Sequence, residues 1–399
     1  MTVLDLNLSP SEEAFRRAFA DWLQSNLPAE HRGSRLRELP EEKANEVRRA
    51  WEQQLGEAGW LGVSWPKEYG GRGATSMEQV IYHQELLHAD APEPLDVLGL
   101  SLVGPTIIDV GTDEQKQQFL PPILRGQVVW CQGFSEPDAG SDLASLQTRA
   151  ELDGDDWVIN GQKIWSSQAH YADWCALLVR TDPNVSKHKG ISFFLVDMTT
   201  PGITVRPIKQ ISGSADFNEL FFDNVRMPRA NIVGELNGGW AVANRLLAYE
   251  RGVITMSIVA GYQRLWAELR EYARTTKSNG QPLIQDPRIR ERLAESYTNI
   301  ELMRLANLRY LTRYMRGLPP GAETSYMKLF WATTEQGLGD LSLALAGPQG
   351  LAMPDSPHAI AGGEWISKYF LSRVATVYGG TQDIQRNIIA ERIFGLPRG

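Results

Sequence analysis

The sequence predicts an α+β protein in which helices, then strands, then helices follow one another along 399 residues. Three observations predict this. Apolar residues recur at helical spacing towards both ends of the chain. Between about 128 and 236 that period gives way to short β-branched or aromatic runs bounded by Gly, Pro and Asn. The length itself exceeds one ordinary core, so two or three packed units are expected. The expected division is 1–127 helical, 128–236 strand-rich and 237–399 helical.

The first helix is signalled by Ser9-Pro10-Ser11-Glu12, a capping box with proline at the first helical position; Phe15, Ala18, Phe19, Trp22 and Leu23 form the apolar face after it. Further helical segments break at "WPKEYGGRG" and "GTDEQKQQFLPP", where Thr112 and Gln115 repeat the capping signal. In the middle part, "DDWVINGQKIW" reads as two short runs joined by Asn160-Gly161, a strong hairpin signal. "ISFFLVDM", "GITVRPI" and "NELFFDNVRM" supply further strands with no long helical pattern between them. They predict an antiparallel sheet, closed as a small barrel or folded as a sandwich. After "GELNGGW" the helical period returns, broken near Asn279-Gly280, Pro319-Pro320 and Pro348.

Hydrophobic residues make up 42% of the chain and charged residues 22%, as in soluble globular proteins. A net charge of −8 argues against nucleic acid as the main partner, because such binding rests on clustered cations. Cys131 and Cys175 are too few for a disulfide framework and are not spaced as a zinc site. Both read as strand-packing residues in a reducing compartment. The start "MTVLDLNLSPSEEAF" has no basic and apolar leader, and no stretch reaches the length of a membrane span, so a cytoplasmic location is expected. No G-x-G-x-x-G opens a helix after a strand, and no Walker loop or G-x-S-x-G elbow occurs, which argues against a Rossmann domain. The six histidines form no metal-ligand pattern, so no metal is expected.

Three segments carry candidate chemistry. In "CQGFSEPDAGSDLASL", Ser135, Gly140 and Ser141 offer hydroxyls and unobstructed N–H groups that suit a phosphate or the pyrimidine edge of a flavin; a plain turn explains the glycine and one serine equally. In "GQKIWSSQAHYADW", Trp165 and Ser167 are two apart and share one face of an extended strand. Ring beside hydroxyl suits a flat heteroaromatic ligand, whereas core packing is the plainer reading of the tryptophan. In "VYGGTQDIQRN", Thr381 is an N-cap, Asp383 lies in the first turn, and Ile384, Ile388 and Ile389 recur at helical spacing. Gly379 and Gly380 before it form either a tight turn or a side-chain-free approach for an anionic or carbonyl-bearing ligand.

"SEPDAGSD", "INGQKIWSS", "NELFFDNVRMP" followed by "GWAVA", and "YGGTQDIQRNIIAERIFGLPR" occur in the order and at the spacings of the acyl-CoA dehydrogenase family, which the chain resembles over nearly its whole length. The resemblance implies a helical N-terminal domain, a middle β-domain and a C-terminal four-helix bundle. It also implies FAD and a 2,3-dehydrogenation of an acyl-CoA thioester. Matched position by position, Ser135 and the backbone near Phe134 would bind the flavin pyrimidine end, Trp165 would pack on the ring and Ser167 would hydrogen-bond N5. Gly380, Thr381 and Asp383 would lie near the flavin, Ser141 and Arg251 would meet the CoA substrate, and the N–H of Gly379 would help polarise the thioester carbonyl.

One branch of the family places its catalytic glutamate where this chain has Gly379. Similarity to the isovaleryl-CoA and long-chain members instead implies Glu250, in "LLAYERGVI", as the base. Without the family, a Glu-Arg pair on a helix reads as a solvated or structural ion pair, although Leu246, Leu247, Tyr249 and Val253 make these surroundings apolar. Homotetrameric members complete each flavin site with an arginine and a glutamine from a neighbouring subunit. This chain has Thr276 and Ala344 at those places, with Arg274 two residues away. The resemblance therefore implies either an α2β2 heterotetramer with a homologous chain or a homo-oligomer with relaxed contacts. An electron-transfer flavoprotein is the implied acceptor, and the implied acyl group is long, branched or bulky, steroid-derived groups included. The alternatives are a flavin oxidase or monooxygenase on the same fold and a non-catalytic partner subunit.

Overall fold

The computed structural model describes residues 8–36, 39–250, 254–315, 321, 323–354 and 356–397. The N-terminal part is helical: α1 (Pro10–Asn26), α2 (Gly33–Leu36), α3 (Glu41–Glu57), α4 (Ser76–His88), α5 (Gly104–Val110) and α6 (Asp113–Leu124). Both predicted capping boxes form, Ser9 with Glu12 and Thr112 with Gln115. Gln115 has a second use, donating from Nε2 to the carbonyls of Ala230 and Ile232 at 2.7 Å, which fastens α6 to the end of the strand region.

The middle part supplies β1 (Trp130–Gly133), β2 (Arg149–Asp153), β3 (Asp156–Ser167), β4 (Trp174–Arg180), β5 (Ile191–Asp197), β6 (Ile203–Ile208), β7 (Phe217–Pro228) and β8 (Ile232–Val233). They form one sheet in the order β6-β7-β3-β2-β4-β5-β8, with β1 joined to β4. The sheet is mixed where a wholly antiparallel one was expected: β1 runs parallel to β4, and β2 meets β4 in parallel at Arg149 and Arg180. It also follows an open path, with no closed barrel among the described residues. Burial gives the reason. Every residue of β4 after Trp174 is buried, and strands covered on both faces accept parallel neighbours.

Alternate residues of β4 and β5 enter two different cores. Ala176, Leu178, Phe193 and Leu195 join Ile107, Phe119 and Val242 from the helices. Cys175, Leu177, Phe194 and Val196 join Ile159, Leu220 and Val225 from β3 and β7. The β3–β7 part of the sheet thus folds over the β4–β5 part as a sandwich, with helices on the far face. Cys131 and Cys175 stand opposite each other in this packing, both fully buried and both free.

The expected turn at Asn160-Gly161 is replaced by a continuous strand. β3 runs through it, and the β2–β3 hairpin turns at Gly154-Asp155 instead. Gly161 answers a different need, since a Cβ there would lie 2.5 Å from Thr148 Oγ1 and 2.6 Å from Thr148 Cα. Asn160 accepts the Asn224 N–H at 2.9 Å, bridging β3 and β7.

The C-terminal part comprises α7 (Gly239–Glu250), α8 (Ile254–Thr275), a ribbon of β9 (Lys277–Ser278) and β10 (Gln281–Pro282), α9 (Pro287–Met315), α10 (Glu323–Ala346), α11 (Glu364–Val374) and α12 (Gln382–Arg392). The predicted break at Asn279-Gly280 is the turn of that ribbon, and Pro319-Pro320 lies outside the described residues. The long helices enclose Leu269, Ile300, Met303, Leu338, Leu341 and Trp365. The order of helical, β-rich and helical parts is the one predicted.

Contacts divide the chain into two compact units. One is made of Met1–Glu38, Ser76–Ala91 and Val253–Gly399, the other of Leu39–Thr75 and Pro92–Gly252. In the first, α4 packs against α1, with the Phe19 and Tyr82 rings 4.6 Å apart, and against α8. In the second, α5, α6 and α7 cover the sheet. Among the described residues no helix is long and apolar enough to cross a membrane, and no group of side chains could hold a metal ion.

Candidate active site

The second unit carries most of the candidate residues. β1 leads the chain to Phe134, which is buried and edge-on to Phe193. Both carbonyls at this point are taken by β3: that of Phe134 accepts from Lys163 Nζ at 3.0 Å, and that of Ser135 from the Ile164 N–H at 2.9 Å. Glu136 and Ala139 exchange backbone hydrogen bonds in a tight turn. The Glu136 carboxylate accepts from Lys163 Nζ at 2.8 Å and from the N–H groups of Gln147 and Thr148 at 2.6 and 2.8 Å. Burial pushes the Lys163 ammonium down to about 8, against the raising pull of Glu136. Burial acts to raise the Glu136 carboxyl, but Lys163 and the hydrogen bonds outweigh it and hold it below its ordinary value. Ser141 is exposed on the following turn, next to Asp142, which pairs with Lys187 at 2.6 Å.

β3 then breaks step. Lys163 pairs with Leu220 and Ser166 with Asn218, so Ile164 and Trp165 stand opposite Glu219 alone in a bulge. Trp165 has φ +62° and its side chain is 57% exposed, its ring edge-on to Phe217 at 6.2 Å. Two readings of the sequence are corrected here. Trp165 is outside the core, and its relation to Ser167 follows from the bulge and not from simple alternation; Lys163 and Ser166, three apart, are the buried pair. Ser167, partly buried, resumes the ladder opposite Phe217. Between them, Ser166 Oγ and Asn218 Oδ1 are buried without a hydrogen-bond partner.

Glu250 is the last residue of α7, whose Val242, Ala243 and Leu246 are buried in the core beneath β4 and β5. Arg251 lies outside the described residues. Phe134, Ser135, Ser141, Trp165, Ser167 and Glu250 are therefore brought into one unit.

Gly379, Gly380, Thr381 and Asp383 belong to the other unit. Both glycines have positive φ, 61° and 89°, so the turn needs them. A Cβ on Gly380 would lie 2.4 Å from Gln385 Nε2, the group that donates to the Gly379 carbonyl at 3.2 Å. The Gly379 N–H has no acceptor among the described residues. Thr381 Oγ1 caps α12 by accepting the Ile384 N–H at 3.3 Å, and the exposed Asp383 pairs with Arg386 at 3.2 Å. Arg274 pairs with Glu271 at 2.8 Å on the surface of α8.

Two lysines went unnoticed in the sequence. Lys163 was within reach, since counting by twos from the inward Trp157 and Ile159 leads to it. Lys328 gave no signal; its Nζ donates to the Ala375 carbonyl at 2.8 Å and sits 3.9 and 4.2 Å from the ring centres of Trp331 and Tyr378, bracing the segment before Gly379.

The exposed indole of Trp165 and the partly buried Ser135 and Ser167, whose segments are joined by the Ile164 N–H to Ser135 carbonyl bond, offer an apolar ring and two hydroxyls. That donor set fits the ring of a flavin. The family profiles for the acyl-CoA dehydrogenase N-terminal, middle and C-terminal domains match residues 9–127, 131–225 and 237–394. The acyl-CoA dehydrogenase IpdE1 of Mycobacterium tuberculosis is 43% identical over 97% of this chain and 98% of its own. Among solved structures, the ChsE4-ChsE5 complex from Mycobacterium tuberculosis superposes with a TM-score of 0.86 at 35% identity, over 99% of this chain and 100% of that one. The Tcur3481-Tcur3483 steroid ACAD does so with a TM-score of 0.86 at 34% identity over the same shares. The chain belongs to the acyl-CoA dehydrogenase family and is an oxidoreductase of that kind.

Proposed function

We propose that the chain is the catalytic subunit of a cytoplasmic, FAD-dependent enzyme that converts a long, branched or bulky acyl-CoA into its trans-2-enoyl thioester. The observation that carries this reading is Trp165. A large apolar ring is held out at a left-handed φ, at a cost on the order of 1–3 kcal/mol, beside two hydroxyl-bearing segments. Such a platform is accounted for by a flat partner that covers it. FAD, when bound, supplies acceptance of the hydride that leaves the β-carbon. Trp165, Ser135, Ser167 and the backbone at Phe134 would hold and orient its ring, and by the family resemblance Gly380, Thr381 and Asp383 would serve the same cofactor.

With glycine at 379, Glu250 is the base that takes the proton from the carbon next to the thioester. The Gly379 N–H donates to the thioester oxygen and stabilises the negative charge that gathers there as the proton leaves. Ser141 and Arg251 serve the CoA portion. Three domains, 1–127, 128–236 and 237–394 with the remaining residues to 399, divide these tasks.

Thr276 and Ala344 stand where cross-subunit flavin contacts are expected, so a homologous chain completes the site in an α2β2 assembly. The ChsE4-ChsE5 complex supports this arrangement, and the steroid ACAD supports a bulky substrate. An electron-transfer flavoprotein receives the electrons.

The test is Glu250→Gln. The variant is expected to keep its yellow colour and acyl-CoA binding while substrate-driven flavin bleaching slows by about a hundredfold to ten-thousandfold. Bleaching at the parent rate would refute the assignment of the base. Counting FAD per subunit in the chain expressed alone tests the assembly, and a full complement of tightly bound FAD would rule out the second chain.

A further inference from the structure

We propose that Lys163, with Glu136, is a positioning residue that sets the spacing between the two flavin-facing segments, residues 134–135 and 165–167; this rests on the FAD reading above. The Lys163 side chain is fully buried, and its ammonium reaches two acceptors, Phe134 O at 3.0 Å and Glu136 Oε1 at 2.8 Å. A buried ion pair is a poor way to gain stability, because desolvation cancels most of the attraction and apolar residues of similar volume serve as well or better. Its geometry is what apolar residues cannot reproduce.

One ammonium on β3, two residues before the exposed Trp165, holds the carbonyl of the residue preceding Ser135. The adjacent Ile164 N–H holds the carbonyl of Ser135 itself, so consecutive groups of β3 grip consecutive carbonyls of the loop. Glu136, the counter-ion, closes the same loop at its far end by accepting the N–H groups of Gln147 and Thr148. The turn bearing Ser141 is therefore strung between two hydrogen-bonded anchors that meet at Lys163. Removing the charges while keeping the volume would leave the core filled and the loop free to shift against the bulge. A site that loosens by a fraction of an ångström loses much of its affinity.

The experiment compares the full-length parent with Lys163→Met/Glu136→Leu and with Glu136→Gln by titrating FAD, following the quenching of flavin fluorescence, and recording the absorption spectrum of the bound form. Thermal melting of the FAD-free proteins runs alongside. The pair variant is expected to melt within a few degrees of the parent, to bind FAD on the order of tenfold more weakly, and to show a bound-flavin spectrum closer to that of free FAD. Glu136→Gln, which keeps the shape, is expected to move the affinity and spectrum in the same direction and decides the matter if the pair variant does not fold. Parent-like affinity and spectrum in a folded variant would overturn the positioning role and leave the FAD reading standing. No FAD binding by the parent, either alone or assembled with the homologous chain that completes its site, would instead overturn that reading, and this inference with it.

Discussion

Raising the pH from 5 to 8 should weaken the fold of the unit built on the sheet, and Glu52 is the reason. Glu52 and Asp96 are carboxylates with 1% and 0% exposure. Glu52 accepts the N–H groups of Leu95 and Asp96 at 3.1 and 3.3 Å. Asp96 Oδ1 accepts those of Gly99 and Trp130 at 2.9 and 2.8 Å, while Oδ2 is buried with no partner. Burial pushes the Glu52 carboxyl from 4.5 up to about 7, against the lowering pull of the backbone N–H groups and of Arg49. Burial, and then the charge of Glu52, push Asp96 up as well. The folded chain therefore holds a proton that the unfolded chain releases between 4.5 and about 7. The stabilisation that this proton carries is present in full below 4.5 and is lost as the pH rises through about 7. At about 1.36 kcal/mol per pH unit, Glu52 alone accounts for about 3 kcal/mol. Denaturant midpoints of the full chain and of Glu52→Gln, measured between pH 5 and 8, read this directly. The variant carries no titrating group at this position, so its stability relative to the parent should improve by about 2–3 kcal/mol across the window. Parallel pH profiles for the two proteins would show that Glu52 is ionised in the folded state and refute the reasoning.

Gly104→Ala should destabilise the same unit by about 1–3 kcal/mol, seen as a fall in the denaturant midpoint. A Cβ there would lie 2.0 Å from Cζ2 of the buried Trp65, whose Nε1 is tied to the Leu100 carbonyl at 2.9 Å, so the ring cannot swing aside freely; an unchanged midpoint would mean that it can. Trp165→Ala should leave stability within about 0.5 kcal/mol of the parent, as for an exposed site, while weakening FAD binding in the fluorescence titration. A large loss of stability would mean that the indole supports the core.

The parts of the molecule that were legible in the sequence are those fixed by neighbours a few residues away. The capping boxes at Ser9 and Thr112 and the cap at Thr381 all follow from local rules, and all formed as read. The misreadings share a different origin. Asn160-Gly161 carries the signature of a turn, yet its glycine is required by the passage of Thr148 against the strand, a contact that no short window contains. The parallel pairing of β1 with β4 depends on two segments far apart in the chain being covered on both faces, which composition alone does not reveal. Trp165 was placed by counting in twos, and the count fails at the bulge that makes it exposed.

That failure is itself informative. A sequence under selection only for folding would put an apolar residue at the inward position of Lys163 and turn the tryptophan inwards, satisfying period, burial and backbone preference together. Here all three are violated within three residues: a charge is buried, a ring is exposed and a non-glycine residue takes a left-handed φ. No single structural need accounts for that combination, because none of the three is a means by which a sheet gains stability. The proposed flavin platform accounts for all of them at once, with Lys163 anchoring the strand to the loop and the bulge turning the indole outwards. The stretch where the local rules fail is thus the stretch that the proposed chemistry needs, and the pair variant that restores an apolar core separates the two demands.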